Sequence, residues 1–102
     1  MSVTEVALAL RGLEQAIVPP RPGASIGNWR FAVRQRLAAL REALGAADLP
    51  LDSRLRGTLV TRVMELSDDV LERPDVEAVR GELRRLVGDV GQQAVRAQSP
   101  SL

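Results

Sequence analysis

The chain predicts an all-α fold, and three observations carry that expectation. Apolar residues recur at spacings of 3 and 4 through four successive segments, the period that puts them on one side of a helix. The apolar content of 45% is almost wholly aliphatic, with Trp29 and Phe31 the only aromatics, which suits helix-on-helix packing better than a strand-rich core. The prolines at 19, 20, 22, 50 and 74 fall between the segments and none falls within one. Four amphipathic helices joined by brief turns favour an antiparallel up-down-up-down four-helix bundle. A three-helix core with the first helix packed across it is the alternative. The 102 residues suffice for one domain, expected over 1–97, with a mobile tail at 98–102.

The first helix is expected over residues 3–18. Ser2 and Glu5 have the spacing of a capping box, and Val3, Val6, Leu10, Leu13 and Ile17 form the seam. Pro19, Pro20 and Pro22 end it, since proline lacks the N–H that a further turn requires. Pro19 and Pro22 also satisfy a P-x-x-P pattern, but helix punctuation explains them at less cost. Ser25 is placed to cap a second helix over 26–44, with Ile26, Trp29, Val33, Leu37, Leu40 and Leu44 inward and Gly45 as a left-handed terminator. Asp52 or Ser53 caps a third helix over 53–73, whose seam is Leu55, Leu59, Val63, Leu66 and Val70. Pro74 suits the first turn of a fourth helix over 75–97, with Asp75 and Glu77 at its positive end. Its seam is Val76, Val79, Leu83, Leu86, Val90, Ala94 and Ala97; Gly81, Gly88 and Gly91 weaken it unless a neighbouring backbone comes close.

Composition excludes more chemistry than it suggests. There is no His, Cys, Lys or Tyr, and 14 Arg supply all the side-chain positive charge. The usual general acid/base, nucleophilic and structural-zinc constellations therefore cannot be assembled. No catalytic residue, metal ligand or cofactor is expected, and the chain is read as a non-enzyme. Glu65, Asp69 and Glu72 align as a carboxylate ridge on the third helix, but hard-cation sites draw ligands from more than one segment. The longest aliphatic run, Val6 to Leu10, is too short to span a bilayer and has no basic region before it, so a cytoplasmic location without a membrane partner is expected.

Two surfaces remain as candidates. On the second helix Arg30, Arg34 and Arg41 share a face and form the candidate anion-binding set; an ordinary solvated face or pairing with acids on an adjacent helix is the plainer account. A net charge of +1 argues against nucleic acid held by bulk charge. The first 41 residues hold six Arg against Glu5 and Glu14, whereas the remainder holds eight Arg against eleven acids, a polarity that points to pairing within the bundle or between copies. The third helix carries a second apolar stripe, Val60, Met64 and Leu71, rotated by about 110° from its seam. With Phe31 also outside its seam, these four are the interface candidates.

Gly12-Leu13-Glu14-Gln15-Ala16 before a proline-rich turn, Trp29 with Val33, the run Leu37-Ala38-Ala39-Leu40-Arg41-Glu42-Ala43-Leu44, and Asp75-Val76-Glu77-Ala78-Val79-Arg80 followed by Leu83 and Leu86 make up about half the chain. In these segments the sequence resembles a group of small helical proteins of GC-rich bacteria, divergent relatives of hemerythrin-type four-helix bundles. The resemblance implies the bundle. It does not bring the family's iron chemistry, because the inward-facing histidines have no counterpart here and no functional residue carries over. The expected function is a non-catalytic helical interaction module, self-associating as a homo-oligomer or binding a protein partner. An Arg-mediated nucleic-acid or phosphate binder is the alternative, and a small-ligand-binding bundle or enzyme stands third.

Overall fold

The computed structural model describes residues 3–46 and 52–98, with side chains over 5–46 and 52–93. Four helices follow one another: α1 (Val3–Ala16), α2 (Ile26–Leu44), α3 (Ser53–Asp68) and α4 (Val76–Gln98), with a short 3-10 turn, Val70–Glu72, after α3. Helix α1 packs against α2 and α4, α2 against α1 and α3, and a sparser α3–α4 contact closes the ring. This is the four-helix bundle, not a three-helix core with α1 laid across it.

The seams form the core. Leu13, Val33, Leu37, Leu40, Leu44, Leu83 and Leu86 are wholly shielded from solvent, and Trp29, Leu59, Val63, Leu66, Val79 and Val90 are buried around them. Ser25 caps α2 by accepting from Asn28 N at 3.2 Å, and Asp52 caps α3 by accepting from Leu55 N at 3.3 Å. Each oxygen pairs one of the N–H groups that a helix start leaves without a partner.

Several expectations are corrected. Gly45 has φ −79°, so α2 ends without a left-handed residue; the Gly45 N–H donates to Arg41 O. Ile26, at the start of the α2 seam, is half exposed because the chain has only just entered the helix there. Asp75, not Pro74, sits at the entry to α4, its carboxylate accepting from Ala78 N at 3.2 Å. A Cβ at Gly81, Gly88 or Gly91 would meet nothing, so no neighbouring backbone uses their missing side chains. The Ser2 cap, the side chains of Val3, Ala94 and Ala97, and residues 99–102 of the tail lie outside the described residues.

The largest correction concerns the third helix, expected to run to Arg73. It stops at Asp68, and Asp69, at φ −122° and ψ −64°, passes the chain into the 3-10 turn. The helical path breaks at Asp69, so the residues beyond it no longer continue the faces of α3. Leu71, read as an interface residue, lies in the core at 1% exposure, while Val70 is half-buried.

Because Leu40 is fully enclosed and Ile26 is not, Leu40→Ala should cost about 2–5 kcal/mol in a urea titration, whereas Ile26→Ala should cost under about 1 kcal/mol.

Candidate functional site

The prolines that end the helices also create the problem that the polar side chains solve. A helical carbonyl accepts from the N–H four residues on, and for Val18 that residue is Pro22, which has none. The indole Nε1–H of Trp29 supplies the missing donor to Val18 O at 2.9 Å. Ile17 O next to it accepts from Arg80 Nε at 2.6 Å, so the end of α1 is fastened to both α2 and α4. Arg80 is the one charged residue in the buried set among the described residues, and its Nη1 donates to both Glu77 carboxylate oxygens at 3.0 and 2.9 Å. That pairing neutralises a cation which would otherwise be costly to desolvate.

The same device recurs after α3. In the 3-10 turn Leu71 O would accept from residue 74, which is Pro74. Arg30 Nε donates to Leu71 O at 3.0 Å instead, and Arg30 Nη2 donates to Arg73 O at 3.2 Å. Arg34 donates to Ser67 O at 3.4 Å and forms an ion pair with Glu72. These charge-assisted bonds satisfy carbonyls that have lost their backbone donors. Two of the three anion-binding candidates are therefore engaged within the chain, which corrects their reading as a free stripe; Arg41 alone is exposed and makes no hydrogen bond or ion pair to a described residue.

The interface candidates divide in a similar way. Phe31 is 61% exposed and Met64 43%, whereas Val60 is half-buried and packs on the core. Met64, Ala38, Arg34 and Arg41 line a shallow groove of about 110 Å³ between α2 and α3. A second groove of about 300 Å³ lies between α1 and α2, floored by Ala9, Ala39 and Ala43 and rimmed by Leu8, Glu5 and Glu42. A third, of about 370 Å³, runs between the end of α1 and α4 over Ile17, Val18 and Val87, with Glu14 and Arg84 on its walls.

Sequence reasoning missed the solvent side of α2. Asn28, Phe31, Gln35, Ala38 and Glu42 follow a 3-4-3-4 spacing opposite the core seam, and all five are exposed. Surface helices ordinarily carry charge on that side; here Glu42 alone does. The spacing could have been found by applying the same periodicity test to the residues left outside the seam.

Among the described residues no group of three or more carboxylates could hold a metal ion, and no helix is long and apolar enough to cross a membrane. Glu72 of the carboxylate ridge is paired with Arg34, and Asp69 with Arg73. Compared with known proteins, the chain matches no family model, no curated protein and no solved structure.

Arg80→Met keeps the apolar stem but leaves Ile17 O without its donor, and should cost about 1–3 kcal/mol in chemical denaturation. Trp29→Phe, which loses the bond to the more exposed Val18 and part of the packing of the buried indole, should cost about 1–3 kcal/mol. Equal stability of both variants and wild type would show that water satisfies these carbonyls as well as the side chains do.

Proposed function

We propose that the protein is a non-catalytic interaction module whose working surface is the outer side of α2 and the adjoining edge of α3, and that it associates with itself. One observation carries this reading: Phe31 stands 61% exposed on a helix face that is almost free of charge, with Met64 also exposed on the neighbouring helix. Aromatic residues and Met are enriched at interface cores, where charge is depleted. An exposed Phe with no role in its own core loses nothing on folding and gains on association.

The anion-binding reading has less support, because Arg30 and Arg34 donate to carbonyls within the bundle and Arg41 is left to act alone. The resemblance to hemerythrin-type bundles enters only as a source of the scaffold, and cytoplasmic residence is part of the same proposal. Sedimentation of wild type at high micromolar concentration should give a mass above that of the monomer. Phe31→Glu combined with Met64→Glu should give a monomer of unchanged helix content, since a charge placed in a self-interface is repeated on both sides. A monomeric wild type would overturn the proposal.

A further inference from the structure

The groove of about 370 Å³ between the end of α1 and α4 carries charges that the bundle does not use. Glu14 borders it from α1 and Arg84 from α4. Both are exposed, and neither forms a hydrogen bond or ion pair with the other or with any described residue. Arg80, one helical turn before Arg84 and on the same side of α4, borders the groove at 6% exposure. Its Nε is taken by Ile17 O and its Nη1 by Glu77, which leaves Nη2 without a hydrogen-bond partner among the described residues. A polar group so deeply buried ordinarily has one, and two guanidinium groups side by side suit a carboxylate.

The floor between these charges is apolar. Ile17, Val18 and Val87 form it, and Val18 is 56% exposed although aliphatic. Gly88 borders the same groove. Glycine weakens a helix interior, and a Cβ at Gly88 would meet nothing, so no contact within the bundle requires its absence. The same is true of Gly81 and Gly91, but of the three only Gly88 opens onto the groove. The volume falls within the range of about 300–1,000 Å³ usual for small-molecule sites.

The charge pattern selects the ligand. A simple anion would face Glu14 and a simple cation would face Arg84, and juxtaposed like charges oppose binding. A zwitterion meets an opposite charge on both walls. We propose that this groove binds a free apolar α-amino acid, with its carboxylate on Arg84 and Arg80 Nη2, its ammonium on Glu14 and its side chain over Ile17, Val18 and Val87. The site shares no residue with the surface proposed for self-association and does not depend on it.

Titration calorimetry with L-leucine should show saturable binding with a Kd below about 1 mM. Isocaproate, which lacks the amine, and isoamylamine, which lacks the carboxylate, should each bind more weakly by a factor of about ten or more, because each leaves one wall unmatched. Arg84→Gln and Glu14→Gln should weaken leucine binding by a similar factor at unchanged helix content, since both residues are exposed and hold no described neighbour. Gly88→Leu should abolish binding by filling the floor, in a chain that still folds because a side chain there starts in open space. Leucine binding that needs both charges supports the inference. Isocaproate binding as tightly as leucine would overturn the role of Glu14 and with it the amino acid. No saturable binding to wild type up to about 10 mM leucine, or binding that survives Gly88→Leu, would overturn the site.

Discussion

The bundle depends on how it replaces the backbone donors that proline removes. Three prolines follow α1 and one follows the 3-10 turn. Carbonyls left without partners at partly buried corners would each cost a desolvation penalty of about 1–3 kcal/mol, a large share of a small domain's stability of about 5–15 kcal/mol. Trp29 and Arg30 are consecutive residues near the start of α2, and they reach opposite neighbours: the indole reaches the end of α1 and the guanidinium the end of α3. Both loops are thereby held to one turn of one helix. Arg80 adds the third tie by joining Ile17 to α4.

This arrangement decides which parts of α2 remain for function. Its inner side makes core and Arg30 and Arg34 are committed to the chain after α3, so the outer stripe, with the exposed Met64 beside it on α3, is what remains for a partner. The proposed self-association uses that surface. Two of the three basic residues that look like a ligand site in sequence, Arg30 and Arg34, are structural, and the weakly polar stripe that looks like unremarkable surface is the one left unexplained by folding.

Much of the fold was legible. Helical periodicity gave the four segments and nearly the whole core, because an apolar seam on an isolated helix has to be covered and four seams of similar length cover one another. Ser25 and Asp52 were legible as caps because N-capping is a local event. Leu71 was not legible: its side depends on a break in the helical path at Asp69 that hydrophobic spacing cannot register. Nor was the role of Arg80, since a bond across 63 residues to Ile17 O leaves no local pattern beyond a Glu three positions earlier. The same holds for Arg30 and Arg34, whose partners are carbonyls and therefore invisible in a list of side chains.

The central claim is that these side-chain ties make the four helices one cooperative unit, and the single tryptophan stands at the tie between α1 and α2. Urea unfolding followed in parallel by Trp29 fluorescence and by far-ultraviolet circular dichroism tests this most directly, since coincident transitions mark all-or-none unfolding. The two curves should superimpose for the wild-type chain. A fluorescence transition well before the loss of helix would contradict the account, because it would show the α1–α2 corner opening while the rest of the bundle stands.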